Sequence, residues 1–325
     1  MMMISKTDYT SGDGFQNRLL FLLKGKLEDR SIGLIRIKDG KWKVTSDKGN
    51  WFLKLYSSRR KFQLQKEVTE ELCNGGFSRV PSYHPLHQSD TIEIDGKMAG
   101  LTEWVDTTGN FTYKTFPERQ EALAVLQSFH HHSQKALLRK DFRSLKGQRL
   151  LEKWRARLDE FKGSRQRFGG VIPLEVIDTY ILLGEQALEG MAKSSFSEES
   201  CILHGDLAHH NFLRDTNQEL FMIDLDLISA GPPEIDYIQF ANRIFPYINW
   251  SPELLWKHRA LADYKDRKIF LNSILYPSDV FREWNRFFRE SSRYQKTVWY
   301  YLMNLTLHQF GARIMCCNEI RTKLS

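Results

Sequence analysis

The chain has 325 residues, which is enough for a sizeable core in one large domain or two modest ones. Its composition, 41% hydrophobic and 13% aromatic, argues against a disordered chain. The formal net charge is +7, but lysine and arginine are spread along the chain, so we expect no nucleic-acid partner. No apolar run approaches the roughly 18 residues of a membrane span, the N-terminus lacks the apolar core of a signal peptide, and only four cysteines occur. These features predict a cytoplasmic protein without a membrane partner.

The first predicted elements are three strands joined by tight turns. Residues 32–38, 41–45 and 51–56 are apolar or alternate between apolar and polar side chains, which is typical of strands. Asp39 and Gly40, between the first two strands, form a dipeptide that hairpins prefer. The segment therefore predicts an antiparallel meander.

A helix and two more strands follow this meander. Four apolar residues between positions 61 and 72 suit one buried helical stripe, namely Phe62, Leu64, Val68 and Leu72. Gly75 and Gly76 then end the helix, because glycine is the usual residue after a helix C-terminus. Residues 91–94 and 98–105 are the two further strands.

The pattern changes to helical near residue 106. Residues 116–138, 147–161 and 174–192 have amphipathic helical patterns, and helices dominate again from residue 235 onward. Two short strands, 201–203 and 220–223, enclose a polar segment between these helical regions. The predicted organisation is an N-terminal region of residues 1–105 and a C-terminal region of residues 106–325.

The polar segment at residues 204–213 has the sequence His-Gly-Asp-Leu-Ala-His-His-Asn-Phe-Leu. His204, Asp206 and Asn211 fit the H-x-D-x-x-x-x-N spacing of a kinase catalytic loop. Phosphoryl transfer needs a carboxylate beside the attacking hydroxyl and oxygen ligands for magnesium, and one loop with an Asp and an Asn can supply both. The alternative interpretation is that Asp206 is a turn residue and Asn211 a helix cap.

An apolar strand that ends in a carboxylate follows directly. Residues 220–223 precede Asp224, and the short loop before them lets this strand pair with residues 211–213. We expect this hairpin to hold Asp224 near Asn211, so that both could bind one metal ion. Asp226, two residues later, is interpreted either as a substrate contact or as a cap of the next turn.

These segments carry a resemblance to a known family. The chain resembles the aminoglycoside phosphotransferase and choline kinase family, whose members are relatives of protein kinases with His-Gly-Asp in place of His-Arg-Asp. Within that family it is most similar to the branch of bacterial spore-coat-associated kinase-like proteins. The residues that carry the resemblance are 204–213, Met-Ile-Asp-Leu-Asp at 222–226, and Gly-Pro-Pro-Glu-Ile-Asp-Tyr at 231–237.

The resemblance implies roles for individual residues. It makes Asp206 the catalytic base or hydroxyl-orienting carboxylate, and Asn211 and Asp224 the magnesium ligands. It makes His204 and Asp236 structural, the first bonding backbone and the second bracing the catalytic loop. His209 and His210 are interpreted either as part of the substrate pocket or as packing of the loop.

The nucleotide side of the site rests on weaker patterns. Lys54, in the third strand, matches the kinase lysine that contacts the α- and β-phosphates of ATP. Its predicted partner is Glu67 on the following helix, with Glu70 and Glu71 as competitors. The resemblance also implies that backbone groups of Glu103 and Val105 meet adenine. The predicted cofactor-binding residues are therefore Lys54, Glu67, Glu103 and Val105.

One feature departs from the kinase pattern. The first two strands are joined by a turn with the single glycine Gly40, where many kinases have a glycine-rich loop that cradles phosphates. This departure favours a pseudokinase with protein partners, for example in a spore coat, whereas the presence of Asp206, Asn211 and Asp224 opposes it. A protein kinase is the third alternative, but Leu225 and Asp226 stand where an activation segment would begin with Phe-Gly.

The sequence therefore predicts a bilobal α+β protein of the protein-kinase-like fold, with a small antiparallel-sheet lobe and a larger helical lobe. Residues 1–105 are the predicted nucleotide-binding lobe and residues 106–325 the predicted catalytic and substrate lobe. The predicted activity is transfer of the γ-phosphate of ATP, with Mg²⁺, to a hydroxyl of a small molecule. The fold does not determine the acceptor, because the acceptor is chosen by the site.

Overall fold

The computed structural model describes residues 13–142 and 145–324 of the chain. The chain divides into two units. Of the described residues, the first unit contains those up to Phe111, those within 131–145 and Phe212–Asp226, and the second contains Thr112–His130, Lys146–Asn211 and those from Leu227 to 324. The assignment of nucleotide binding to residues 1–105 and of catalysis to residues 106–325 remains a prediction.

Strands dominate the N-terminal part of the chain and helices the C-terminal part. The strands are β1 Gly33–Lys38, β2 Lys41–Ser46, β3 Gly49–Tyr56, β4 Ile92–Ile94, β5 Lys97–Glu103, β6 Cys201–Leu203, β7 Phe212–Arg214, β8 Leu220–Met222 and β9 Ser229–Gly231. The helices are α1 Asp13–Lys26, α2 Arg59–Asn74, α3 Phe116–Arg139, α4 Leu150–Gly163, α5 Leu174–Ala192, α6 Glu234–Ile244, α7 Pro252–Trp256, α8 Arg259–Ala262, α9 Lys268–Leu275, α10 Ser278–Arg289, α11 Ser292–Met303 and α12 Phe310–Thr322. Within the described residues, no helix is both long and apolar enough to span a bilayer.

The first unit is built on a five-stranded sheet. Its strand order is β1-β2-β3-β5-β4, and every neighbouring pair is antiparallel. The predicted meander of three strands is confirmed. Gly40 adopts φ +69° at the first turn, a left-handed conformation that glycine accepts at little cost. The alternating side chains of β2 then place Trp42 and Val44 in the core.

Helix α1 was not predicted from the sequence. Phe15, Leu19 and Leu23 recur at intervals of four residues, and all three are buried against the sheet core that contains Trp42. The interval is a helical one, because residues four apart lie on the same face of an α-helix. The apolar spacing is therefore the signal that could have found this helix.

Helix α2 lies where a helix was predicted, and its ends have clear local causes. The Ser58 side chain accepts a hydrogen bond from the backbone N–H of Lys61 at 3.2 Å, which satisfies one of the free donors at the helix start. Gly76, just after the helix, has φ +94° and allows the chain to turn away. The helix packs against β5 and β3.

The second unit is mainly helical, as predicted. Helix α4 packs against α5 and α10, and α5 packs against α9. Trp154 and Tyr276 stack with ring centroids 4.3 Å apart, and the Tyr276 hydroxyl donates to the Trp154 carbonyl at 2.6 Å. These contacts pack α4 against the C-terminal end of α9, where Tyr276 is the capping residue.

Candidate active site

The first unit contains a cavity of about 290 Å³ on the face of its sheet. Its apolar wall includes Phe52, Val80 and Met222, and its polar edge carries Lys41 and Lys54. A small number of charged groups at the edge of an apolar cavity is the usual composition of a ligand site. The cavity therefore marks the first candidate site in this unit.

Lys54 is ion-paired at the edge of this cavity. Its Nζ donates to Asp224 Oδ1 at 2.9 Å and lies 2.7 Å from Asp226 Oδ1. The Lys54 side chain is 11% exposed and that of Asp224 is 27% exposed, so the pair is only partly screened by water. Two residues that the sequence singled out separately, Lys54 and Asp224, are thus brought together.

Asp224 has an unusual backbone conformation. Strand β8 ends at Met222, and two residues later Asp224 adopts φ +64°. Aspartate tolerates the left-handed region better than most residues, but the conformation still costs free energy and is held by its surroundings. Outliers of this kind are concentrated at functional sites, and here the conformation accompanies the contact of the carboxylate with Lys54.

The predicted pair of Lys54 with Glu67 is not formed, and this prediction is corrected. Glu67 accepts a hydrogen bond from Gln63 at 2.8 Å and lies 3.5 Å from Lys140. The reason is the phase of helix α2: Glu67 is two residues beyond Gln65, which lines the cavity, and two residues turn an α-helix by roughly 200°. The competitors also have other partners, since Glu70 pairs with Lys66 and Glu71 with Arg139.

Asp226 forms the ion pair with Lys54 that the sequence had predicted for a glutamate of helix α2. It accepts from Lys54 and also from the amide of Gln65 at 2.7 Å, and Lys61 lies 3.2 Å away. Burial by itself would raise the pKa of Asp226, but the hydrogen bond and charge of Lys54, with Gln65 and Lys61, hold it well below its ordinary value. Asp226 is therefore an ionised link between Lys54 and helix α2.

Gln65 and Lys41 were missed by the sequence reasoning, although each had a signal. Gln65 is three residues after Phe62 and therefore lies on the buried stripe of α2, where it is 4% exposed. Lys41 is directly opposite Lys54 in the β2–β3 register, so both side chains emerge on the same face. Its Nζ lies 3.2 Å from Asp224 Oδ2, and the carboxylate thus separates two like charges.

Glu103 and Val105 both line the cavity, as the adenine prediction requires. The backbone N–H of Glu103 donates to Ser82 O at 2.8 Å. This leaves the Glu103 carbonyl and the backbone of Val105 as the groups that a base would meet. Their contact with adenine remains a prediction.

The second unit contains the segment with the predicted catalytic residues. Strand β6 ends at Leu203, and the following loop is tied down by Asp236, which is fully buried. Asp236 accepts from the backbone N–H of His204 at 2.7 Å and of Gly205 at 3.1 Å, and it contacts His130 Nε2 at 3.0 Å. The predicted bracing role of Asp236 is confirmed. The predicted structural role of His204 is also confirmed, because its Nδ1 accepts from the Asp206 backbone N–H.

The glycine of the His-Gly-Asp motif is required by the geometry of the loop. Gly205 has φ +79°, and a Cβ at this position would lie 2.4 Å from the Leu227 carbonyl oxygen. Any other residue would meet both a disfavoured backbone conformation and a backbone clash. Gly205 therefore sets the path of the chain that presents Asp206.

Asp206 is paired with an arginine that the sequence did not single out. Arg243 Nη2 donates to Asp206 Oδ1 at 2.9 Å, and each side chain is about one-third exposed. Arg243 is in the last turn of helix α6, which also carries Asp236. The spacing of seven residues places both on one helical face, which is the signal that could have found Arg243. Within the described residues, the other Asp206 oxygen, Oδ2, forms no hydrogen bond and is the oxygen that an acceptor hydroxyl would meet under the prediction.

Asn211 is buried and bonded to the backbone of Asp206. Its Nδ2 donates to the Asp206 carbonyl at 2.9 Å, which leaves its Oδ1 for another partner. An amide carbonyl and a carboxylate such as that of Asp224 are the hard oxygen donors that magnesium prefers. Asn211 belongs to the second unit and Asp224 to the first, and their shared metal site remains a prediction.

Comparison with protein-family models identifies the class of the protein. Residues 38–267 match the model of the phosphotransferase enzyme family, which is more than half of the chain. The chain belongs to this family. A comparison with curated proteins found no significant match.

Solved structures support the same fold. An aminoglycoside phosphotransferase from Alicyclobacillus acidocaldarius is similar with a TM-score of 0.64 at 13% identity, over 91% of this chain and 93% of that chain. A spectinomycin phosphotransferase in its AMP-bound complex is similar with a TM-score of 0.61 at 15% identity, over 92% of this chain and 98% of that chain. A choline kinase from Streptococcus pneumoniae is similar with a TM-score of 0.55 at 12% identity, over 94% of this chain and 100% of that chain. The predicted protein-kinase-like fold, with an N-terminal sheet and a helical C-terminal region, is confirmed.

Proposed function

We propose that this protein transfers the γ-phosphate of ATP to a hydroxyl group of a small molecule. The observation that carries the proposal is the contact of Lys54 with Asp224 at 2.9 Å, at the edge of an apolar cavity. The contact joins a lysine and a carboxylate that are 170 positions apart in the sequence. A nucleotide would use both, with its phosphates on Lys54 and its magnesium ion on Asp224.

The first unit supplies the proposed nucleotide site. Its apolar wall fits a base, while Lys41 and Lys54 offer two cations to the phosphates. Lys41 adds charge at a site that lacks a glycine-rich loop, where backbone amides would otherwise bind phosphate. The AMP-bound state of the structurally similar spectinomycin phosphotransferase supports nucleotide binding in this fold.

The second unit supplies the proposed acceptor-activating groups. Asp206 would accept a hydrogen bond from the acceptor hydroxyl and receive its proton as the phosphate is transferred. Arg243 fixes one oxygen of Asp206 and thereby orients the other. Mg²⁺, bound by Asn211 and Asp224, would supply charge neutralisation for the phosphate oxygens.

The finer assignments of the sequence analysis are part of this proposal. Membership in the spore-coat-associated branch and a cytoplasmic location are proposals. The alternative is a pseudokinase that acts through protein partners, and the missing glycine-rich loop is the feature that favours it. The retained Lys54–Asp224 contact and the braced Asp206 loop favour an enzyme.

A thermal-shift titration with ATP and Mg²⁺ tests the nucleotide site. A ligand that binds only the folded state raises the melting temperature by mass action. We expect a magnesium-dependent rise for the wild type, none for Asp224→Ala, and a wild-type response for Asp47→Ala, which removes an exposed turn carboxylate of the same unit. If millimolar ATP does not raise the melting temperature, the enzyme proposal fails and the pseudokinase alternative is favoured.

A further inference from the structure

The second unit has its own cavity of about 250 Å³ beside the Asp206 loop. His209 of the loop and Arg243 line it, and Arg243 donates to Asp206 at 2.9 Å. Since Arg243 contacts both the cavity and the carboxylate, a molecule in the cavity would lie next to the group proposed to align the acceptor. Treating this cavity as the acceptor site rests on the proposed function.

Arg282 is the second cationic group in the cavity wall. Its Nε donates to Glu283 Oε1 at 2.8 Å, and within the described residues its guanidinium forms no other hydrogen bond. An arginine offers five N–H donors in a planar fork, so most donors of Arg282 are left for a ligand. The fork suits a carboxylate or phosphate, which it can bind through two parallel hydrogen bonds.

Two further cations from helix α4 lie near Arg282. Burial and then the charge of Arg282 lower the pKa of Arg157, while burial, Arg157 and Arg282 lower the pKa of Lys153. Burial and Arg282 likewise lower the pKa of Arg243. In the part of the chain that the structure describes, neither Lys153 nor Arg157 forms an ion pair. The region around Arg282 is therefore crowded with positive charge.

The nearby carboxylates do not balance these cations. Asp206 is paired with Arg243 and Glu283 with Arg282. The remaining carboxylate in the cavity wall, Asp279, accepts two hydrogen bonds from Arg313 at 2.8 and 2.9 Å. Burial by itself would lower the pKa of Arg282, but Glu283 and then Asp279 raise it, so Asp279 is shared between Arg313 and Arg282. An excess of positive charge is thus left beside the cavity.

The rest of the wall suits a hydroxylated molecule. The side-chain amide of Gln239 can donate to and accept from hydroxyl groups, and Tyr247 and Tyr301 add aromatic surface. Asn242 Nδ2 already donates to the Ile238 carbonyl at 3.1 Å, which leaves its Oδ1 to accept, and Gln309 already accepts from Trp250 and donates to Asn304. A cationic acceptor, such as an amino sugar or an amino alcohol, would be repelled by the arginines, whereas an anion would relieve their mutual repulsion.

We propose that this cavity binds a hydroxylated acceptor that carries an anionic group, a carboxylate or a phosphate, with Arg282 as the residue that selects the anion. Arg282 is then a specificity-determining residue, and Asp206 is the group that meets the reacting hydroxyl. Lys153 and Arg157 add to the attraction without an assigned contact.

The test uses ligands that share one sugar ring and differ in charge. Glucose, glucosamine, glucuronate and glucose 6-phosphate are titrated into the full-length protein, and binding is measured by calorimetry without ATP. We expect glucuronate or glucose 6-phosphate to bind at least about 10-fold more tightly than glucose, and glucosamine to bind least. The two anions distinguish a carboxylate acceptor from a phosphate acceptor. The proposal would be overturned if all four ligands bind equally or if glucosamine binds most tightly. It would also be overturned if no ligand binds at 10 mM, which is roughly the weakest range of specific recognition.

Variants locate the bound anion. Arg282→Gln should lose the preference for the anion, while Arg286→Gln, one turn later on α10 and paired with Glu290 on the surface, should keep it. If Arg282→Gln fails to fold, Lys153→Gln is the second variant. Loss of this one nearby charge should weaken anion binding 2- to 5-fold, which corresponds to a loss of binding free energy on the order of 0.4–1 kcal/mol. An unchanged preference in the folded variants would refute the assignment. If anion binding depends on Arg282 but the protein shows no magnesium-dependent response to ATP, the anion site at Arg282 stands, whereas its role as an acceptor site fails together with the proposed function.

Discussion

The two cavities hold their charges in different ways. In the first unit, Lys41 and Lys54 extend from two paired strands and share the carboxylate of Asp224. In the second unit, Arg243 and Arg282 extend from helices, and each has a carboxylate of its own. Lysine is a flexible point charge, whereas arginine is a planar fork that keeps its orientation when one edge is occupied.

This difference has a functional meaning. Under the proposed function, the lysines of the first unit would exchange Asp224 for the phosphate oxygens of a nucleotide. The arginines of the second unit can keep Asp206 and Glu283 while binding a ligand with their remaining donors. The first arrangement suits a cofactor that brings its own metal ion, and the second suits selection among acceptors. Variants that affect one cavity and leave the other intact separate these roles.

The largest effect is expected for Asp206→Ala. Loss of a general base typically slows a reaction by 10²–10⁴, and we expect transfer to fall by about 10³-fold. ATP should still raise the melting temperature, because the substitution leaves the proposed nucleotide-binding residues Lys54, Asn211 and Asp224 unchanged. Phosphate transfer and the thermal shift are measured on the same preparations. Asp266→Ala, which removes an exposed carboxylate of the second unit, is the control and should be fully active. Near-normal transfer by Asp206→Ala would contradict the role assigned to this residue.

Gly205→Ala should destabilise the loop that carries Asp206. The left-handed φ of +79° and the 2.4 Å approach to the Leu227 carbonyl together predict a loss of about 3 kcal/mol in the free energy of unfolding. The free energy of unfolding is measured by urea denaturation for the wild type and the variant. Gly147 has open space around its Cα and an ordinary φ, so Gly147→Ala should change the free energy by less than about 0.5 kcal/mol. A loss below about 1 kcal/mol for Gly205→Ala would show that the loop relaxes easily.

His87 should make the first unit sensitive to acid. Burial, with the nearby charges of His84 and Lys66, lowers the pKa of His87 to about 4, and its Nε2 accepts from the Leu101 backbone N–H at 2.9 Å. A lowered pKa in the folded state means that the contribution is complete above the unfolded pKa of roughly 6.5 and is lost as the pH falls toward 4, by roughly 3 kcal/mol.

The variant His87→Gln separates this contribution from that of the carboxylates. Glutamine can accept the same hydrogen bond but does not gain a proton in this range. The free energy of unfolding, measured for both proteins between pH 7 and pH 4, should fall less steeply for the variant. Parallel pH profiles would show that His87 is not the group responsible.

The smallest effect is expected for Asp226→Asn. Loss of the charge removes the ion pair that holds Lys54 at 2.7 Å and weakens the link to Gln65. We expect kcat/KM for ATP to fall by about 10-fold, since a misplaced phosphate-binding group weakens positioning. Glu67→Gln is the matched control on helix α2 and should have no effect. If kcat/KM for ATP falls equally in both variants, Glu67 also contributes to the ATP site.

Much of the fold could be predicted from local patterns. The helix over residues 174–192 and the strand over residues 201–203 have the bounds that the sequence indicated, because long amphipathic periods and short apolar runs are local signals. Helix α1 was missed although its spacing was present. The confirmed bracing by Asp236 shows that a motif can also carry contacts between distant positions.

The candidate site was predictable only where a motif fixed it. The spacing in residues 204–211 determined which carboxylate and which amide occupy one loop, because backbone geometry within a few residues follows from the local sequence. It could not determine the partner of Lys54, because Glu67, Glu70 and Glu71 have the same side chain. Only the rotation of α2 against the sheet decides which of its residues faces Lys54. Packing turned Gln65 toward the cavity and left Asp226 as the ion-pair partner.

The sequence by itself thus determined the fold class and the loop that carries Asp206 and Asn211, the residues proposed for catalysis and metal binding. The tertiary structure decided which charges meet: Lys41 with Asp224, Asp226 with Lys54, and Arg243 with Asp206. The physical reason is that local conformation is encoded over a few neighbouring residues, whereas an ion pair between distant residues depends on helix rotation, strand register and burial, which only the packed chain fixes.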